Sequence, residues 1–358
     1  MTAHTHQLHQ AGVSLWLDNI TRSLLDDGTL QRYINELQVS GLTSNPTIFD
    51  QAIDSGAYDA AIREKVQAGK NGEELFFELA IEDLRRAADL FRPVHEHTNR
   101  LDGWVSLEVS PLLAYDAAST IAEAKRLHAL ADRPNLMIKV PGTPEGLPAI
   151  EAAIFAGVPV NVTLLFSAEQ YRAAANAWLC GVERRIEAGL NPDVRSVASL
   201  FISRWDKAAA GKVPDKLLNH LGVAVGKRTY HAYREFLDSS RLQRALNFGA
   251  QPQRLLWAST GTKDPALPAT FYADSLVAPF TINTLPEKTL LAYADSGEAG
   301  ELLSPDGGDG DGVIGAHEQA GVSYHQLAAT LQRDGAASFV KSWNELLATL
   351  ATKGGQGS

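Results

Sequence analysis

One cysteine, Cys180, stands in 358 residues. No disulfide can therefore form within the chain, and a reducing compartment, the cytoplasm, is expected. No apolar run approaches the roughly 20 residues that cross a bilayer. No charged-then-apolar segment opens the chain, so neither a membrane anchor nor a secretory signal is expected. Positive charge is in deficit: 32 Lys and Arg against 42 Asp and Glu give a formal net charge of −10. That balance argues against nucleic acid as a partner. Internal repeats are absent as well.

Usable metal and nucleotide motifs are also missing. Gly310, Gly312 and Gly315 have dinucleotide-loop spacing but follow no strand. Gly222 stands one residue too close to Gly226-Lys227 for a phosphate loop, and Arg228 replaces the needed Ser or Thr. Asp309, Asp311, Gly312, Ile314 and Glu318 fit part of a calcium loop, yet Gly307 occupies its first ligand position. The acidic, glycine-rich stretch 304–315 is read instead as a surface loop. His95-Glu96-His97 lacks zinc-protease spacing. His4, His6 and His9 lie in a polar segment, so residues 1–12 are expected to be a disordered tail, as are residues 354–358. No metal and no cofactor is expected.

What the chain does contain is a series of short strand-like runs separated by longer helical patterns. The runs are Ser14–Leu17, Leu42–Ser44, Trp104–Val109, Leu136–Val140, Val158–Leu165, Val197–Ile202, Leu255–Ser259 and Leu276–Ile282. Eight such runs with helical connections predict a single α/β domain, residues 1–358, folded as a (β/α)8 TIM-type barrel. The chain is longer than the roughly 250 residues typical of that fold. The surplus is assigned to helical insertions, notably 208–251, and to a C-terminal helical extension after Leu285. Ser167-Ala168-Glu169-Gln170 has the pattern of a capping box that opens a helix.

Strand side chains alternate between faces. In Ile138-Lys139-Val140 the apolar pair should meet the surrounding helices, which turns Lys139 into the barrel. The same parity sends Asp18, Ser106, Glu108, Asn161, Thr163, Ser199 and Phe201 inward, and Asn45 follows in phase with Thr43. Most of these residues fall late in their strands, at the end where barrels of this kind carry their active sites. Each alone could be a hydrogen-bonded structural residue, and Lys139 could belong to a buried ion pair. Together they would make a costly structural core.

A buried ammonium is expensive, and a lysine made neutral by burial is a nucleophile toward carbonyl carbon. One amine, two carboxylates and several amides and hydroxyls suit Schiff-base chemistry on a polyol. Metal-assisted aldol chemistry fits less well, because no histidine cluster lies on these strands. Arg204 after the sixth run and Lys263 after the seventh are candidate phosphate contacts. A surface salt bridge is the competing reading for each.

The segments Leu15-Trp16-Leu17-Asp18, Gly41-Leu42-Thr43-Ser44-Asn45-Pro46-Thr47, Val105-Ser106-Leu107-Glu108-Val109-Ser110-Pro111, Ile138-Lys139-Val140-Pro141-Gly142-Thr143, Asn161-Val162-Thr163-Leu164 and Ser199-Leu200-Phe201-Ile202-Ser203-Arg204 resemble the transaldolase family, longer bacterial type, from about Val13 to Leu350. Two departures are visible: some members have glycine where Ser203 stands, and some have arginine where Lys263 stands. The resemblance implies a cofactor-free barrel that moves a dihydroxyacetone unit from sedoheptulose 7-phosphate to glyceraldehyde 3-phosphate, yielding erythrose 4-phosphate and fructose 6-phosphate. That reaction belongs to the pentose phosphate pathway. It implies Lys139 as the Schiff-base residue, Asp18 as the proton carrier for the C4 hydroxyl, and Glu108 with Thr163 as holders of a water. Asn45, Asn161 and Ser199 would hold the three-carbon unit, with Phe201 as a shield and Arg204 and Lys263 toward phosphate. A related aldolase that releases free dihydroxyacetone is the alternative. A non-catalytic sugar-phosphate-binding barrel is a third reading, against which the intact Lys139, Asp18 and Glu108 set argues. A monomer or homodimer is expected.

Overall fold

The computed structural model describes residues 3–355. Eight strands form one closed, all-parallel barrel in chain order. They are β1 Val13–Asp18, β2 Val39–Thr43, β3 Trp104–Glu108, β4 Leu136–Pro141, β5 Val160–Leu165, β6 Ser196–Phe201, β7 Arg254–Ala258 and β8 Thr281–Leu285. Helices connect them, as the (β/α)8 reading required. Register places Lys139 beside Glu108 on one side and Asn161 on the other. Asp18 lies opposite Thr43.

Six of the eight strand positions agree with the sequence reading, and β2 begins at Val39, three residues before the run 42–44. The eighth is displaced. The apolar run 276–280 is a buried connection rather than a strand, because Phe280 takes a left-handed conformation with φ 64° and its N–H bonds to the Gly12 carbonyl. The strand starts one residue later.

The amino-terminal end of the barrel is filled by side chains. Arg254 contacts Asp102 at 3.2 Å and donates to the Ser14 hydroxyl at 2.7 Å and the Thr281 carbonyl at 2.9 Å. Ser14 and the Trp16 indole both donate to the Asp102 carboxylate. All five residues are buried, so the ion pair is compensated by hydrogen bonds, as a buried charge must be. Trp16 also explains Gly41: a Cβ there would lie 2.5 Å from the indole ring.

Both ends of the chain depart from expectation. Residues 3–10 form a helix, not a disordered tail. Leu8 is fully buried, and His4 bonds to the Gly297 carbonyl at 2.6 Å. One apolar side chain in a polar segment is enough when its pocket exists. At the other end a helix runs from Tyr324 to Gly355, so 354–355 are helical; residues 1–2 and 356–358 lie outside the described residues. The 208–251 insertion carries the helices Leu221–Leu237 and Ser240–Asn247. The acidic stretch is a loop only in its first half. A helix starts at Gly310, and Asp309 and Asp311 pair with Lys227 and Arg228, each at 2.6 Å.

The C-terminal helix lies over the carboxyl end of the barrel. Gln332, on its buried face, donates from one amide nitrogen to the carbonyls of Gly142 and Leu164, each at 3.0 Å. Gly335 permits the approach: a Cβ there would stand 3.1 Å from both the Arg204 guanidinium and the Leu164 side chain.

Candidate active site

Lys139 projects from β4 into the carboxyl end of the barrel, with only 6% of its surface exposed. Its ammonium donates to the Ser44 carbonyl at 2.9 Å. Glu108, one strand away, approaches it at 3.2 Å. The contact lies outside hydrogen-bond geometry, so both buried Glu108 oxygens lack a hydrogen bond from the described residues, as does the buried Thr163 hydroxyl. Lys139 is thus in a buried ion pair and in a cavity wall at once. The two readings left open by the sequence are not exclusive.

The cavity measures ≈ 130 Å³. Asp18, Asn45, Thr163, Ser199, Phe201, Arg204 and Lys263 line it together with Lys139. Two further candidates sit just behind the wall: Glu108 against Lys139, and Asn161 beneath Ser199. Asn161 donates to the Ser106 hydroxyl at 3.2 Å and accepts from Ser199 at 2.7 Å. Asn45 caps the helix Pro46–Asp54, its side-chain oxygen accepting from the Ile48 N–H at 3.1 Å. That bond fixes the amide, leaving its NH2 group for the cavity.

Burial sets the electrostatics. It raises the Asp18 carboxyl above its ordinary value, with Lys139, the Thr43 hydrogen bond and Lys263 opposing. It raises Glu108 likewise, mainly against the attraction of Lys139. Burial also lowers the basicity of Arg204, which Glu108 partly restores. The Lys263 side chain is largely exposed at the rim, yet its ammonium is held below the usual lysine range. Partial enclosure of its tip comes first among the causes, then repulsion from Arg204 and Lys207.

Thr163 precedes a strained residue. Leu164 has φ 61°, a conformation that costs roughly 1–2 kcal/mol for a residue with a Cβ. The β5–β6 register shifts between Val162 and Leu165 at this point, and Gln332 secures the Leu164 carbonyl. Strain held by surrounding structure is a recurrent mark of functional sites.

Arg204 opens toward a second, outer cavity of ≈ 480 Å³ that it shares with Lys207, Lys263, Ser259 and Ser338. Its guanidinium lies 5.1 Å from the Phe201 ring and 5.9 Å from that of Phe339. Ser203 answers for its place beside it: its hydroxyl contacts the Ser259 hydroxyl at 3.0 Å and its N–H bonds to the Ser259 carbonyl at 3.1 Å. These bonds tie the start of the arginine's helix to the end of β7.

This geometry can be set beside known proteins. The family model described as transaldolase/fructose-6-phosphate aldolase matches residues 15–350. The chain belongs to that family. A transaldolase of Arthrobacter sp. (strain FB24) is 45% identical over 357 residues, covering 97% of this chain and 96% of the relative. A transaldolase of Thermobifida fusca (strain YX) is 45% identical over 362 residues, with 98% of each covered. One of Renibacterium salmoninarum is 42% identical over 357 residues, covering 97% of this chain and 96% of the relative.

In this transaldolase/fructose-6-phosphate aldolase site, several wall residues escaped the sequence reading. Thr284 was missed because its strand was placed too early. The alternation Ile282, Thr284 beside Pro286 was the available signal. Thr43 was seen only as a phase marker. Ser259 closes the seventh run and Lys207 shares the helix Ser203–Ala209 with Arg204, but neither shows a pattern of its own; Phe339 carries no sequence signal, since the distant helix Tyr324–Gly355 brings it in. Among the described residues no group of three or more His, Cys, Asp or Glu could hold a metal ion. None of their helices is long and apolar enough to cross a membrane.

Proposed function

We propose that the protein works as a transaldolase, moving a dihydroxyacetone unit between sugar phosphates through a Schiff base on Lys139. The carrying observation is the buried Lys139 amine, held in one small cavity with Asp18 and against Glu108. The Lys139 nitrogen attacks the C2 ketone carbon of the donor sugar. Glu108 and Thr163, whose buried side-chain oxygens receive no hydrogen bond from the described residues, hold the water that is released as the imine forms and consumed when it is hydrolysed.

The protonated imine then withdraws electrons from the neighbouring carbon. Asp18 takes the C4 hydroxyl proton, the C3–C4 bond breaks, and its electron pair moves into the imine to give an enamine on Lys139. The first aldose leaves. Enamine C3 attacks the carbonyl carbon of the acceptor aldehyde, and Asp18 returns the proton to the new alkoxide. Ser199 and the Asn45 NH2 group meet the hydroxyls of the retained three-carbon unit, with Asn161 holding Ser199. Phe201 walls off the intermediate from water. Arg204 receives the phosphate, assisted by Lys263 from the rim.

Sedoheptulose 7-phosphate and glyceraldehyde 3-phosphate are the proposed pair, within a pentose phosphate route in the cytoplasm. Residues 1–358 are taken to act as one barrel unit, a monomer or homodimer. Borohydride reduction with fructose 6-phosphate, followed by peptide mass spectrometry, tests the core of the reading. Lys139→Ala should lose both turnover and the trapped sugar. Substantial activity in that variant, or sugar trapped on a different lysine, would overturn it. Dependence of turnover on an added aldehyde separates transfer from simple release of dihydroxyacetone.

A further inference from the structure

We propose that Thr284 is a positioning residue for Asp18, acting through the hydroxyl of Thr43. The inference rests on the reading of Asp18 as the carrier of the C4 proton.

Three adjacent strands build the arrangement. Asp18 ends β1, Thr43 ends β2 and Thr284 lies on β8, and all three side chains line the inner cavity. The Thr43 hydroxyl donates to Asp18 Oδ1 at 2.7 Å and contacts the Thr284 hydroxyl at 2.6 Å. Both threonines are buried, at 3% and 4% exposure. Counting protons settles the direction. An ionised carboxylate only accepts, and a hydroxyl has one proton to give. The Thr43 proton is committed to Asp18, so the short contact requires Thr284 to be the donor. The chain runs Thr284 to Thr43 to Asp18.

Two consequences follow from that polarity. Asp18 is held by Oδ1, and Oδ2 is the oxygen left to meet the reacting hydroxyl. A donor arriving at Thr43 also polarises its O–H and strengthens its bond to the carboxylate. The Thr43 bond is one of the influences that oppose the upward push of burial on Asp18. Thr284 therefore supports the charged form of Asp18 without touching it. The charged groups that act on the same carboxylate are Lys139 from β4, Lys263 after β7 and Glu108 from β3. None of them bonds to Thr284.

Thr284→Val keeps the shape and removes the donor. We expect its kcat to fall about three- to tenfold, the scale of one hydrogen bond. The acid limb of its kcat–pH profile should move to higher pH, because the ionised Asp18 has lost support. After borohydride reduction with fructose 6-phosphate, the Lys139 peptide should carry more uncleaved six-carbon sugar relative to the three-carbon unit. Thr284→Ser should restore all three properties. Thr284→Ala gives the same readout should the valine variant fail to accumulate.

Wild-type turnover, an unmoved acid limb, a loss confined to KM, or failure of the serine variant to rescue would each overturn the proposal. Asp18→Asn, run alongside, separates the two levels. If it cleaves normally, the reading of Asp18 is wrong. If it blocks cleavage while Thr284→Val does not, only the role of Thr284 falls.

Discussion

Asp18 carries a conflict between folding and chemistry. Its proposed role as proton carrier requires the ionised form, while burial raises its carboxyl above the ordinary carboxylate value. Activity should therefore fall as pH drops through that raised value, earlier than an exposed aspartate would dictate. Stability moves in the opposite sense. Over the same window the folded state binds more protons than the unfolded one, so this group's contribution to stability falls as pH rises. Asp18→Asn separates the two. Cleavage should stop while imine formation persists, seen as uncleaved sugar trapped on Lys139. Near neutral pH the variant should melt above the wild type, with the advantage shrinking as pH is lowered. A variant that melts lower at neutral pH would show that Lys139 stabilises the carboxylate more than burial penalises it. Arg204 presents a simpler case. It joins the inner and outer cavities, and a charge-assisted contact is worth about 1.5–3 kcal/mol. Arg204→Ala should lose about ten- to hundredfold in kcat/KM for phosphorylated sugars and little for unphosphorylated acceptors. Equal losses for both would mark it as structural.

The C-terminal helix is part of the site wall rather than an appendage. Phe339 lines the inner cavity, and Ser338 and Asp334 line the outer one. Gln332 fastens the helix to the ends of β4 and β5. Gln332→Leu would leave the buried Gly142 and Leu164 carbonyls short of a donor, at a cost of roughly 1–3 kcal/mol. Because Leu164 follows Thr163 in strained backbone, turnover should fall together with the melting temperature. A variant stable as wild type and fully active would show that the helix is held elsewhere. None of this was legible in the sequence, where Gln332 is one polar residue in a long helical pattern. Alternation within strands was legible, since each strand carries its own period of two. It placed Lys139, Asp18, Glu108 and Thr163 on the inner face from local pattern alone. Alternation misleads at β8, because a buried connection, Val277-Ala278-Pro279, is as apolar as a strand. The N-terminal helix leaves no such pattern, because Leu8 anchors a polar segment through a pocket built by distant residues.

Charge is distributed unevenly over the molecule. A chain of net charge −10 gathers Arg204, Lys207 and Lys263 at one cavity, and much of its acid lies elsewhere. Asp309 and Asp311 belong to that exposed acid, at 68% and 78% exposure, each facing one cation. Exposed pairs contribute about 0–1 kcal/mol. Replacing both with Asn should leave the melting temperature and transfer activity almost unchanged, with or without a calcium chelator. A clear fall in melting temperature on adding chelator to the wild type would assign the stretch a metal role after all. The filled end of the barrel has a consequence of a different kind. Among the described residues Arg254, Asp102, Ser14 and Trp16 fill that end with a bonded, buried cluster, so traffic to the cavity is expected at the carboxyl end alone. In the proposed reaction the first aldose must then vacate that doorway before the second can use it, while the three-carbon fragment waits on Lys139. A molecule with a single entrance thus enforces taking turns. An abundant acceptor that arrives early would stand in the path of the donor, so excess acceptor should slow turnover in a way that added donor relieves.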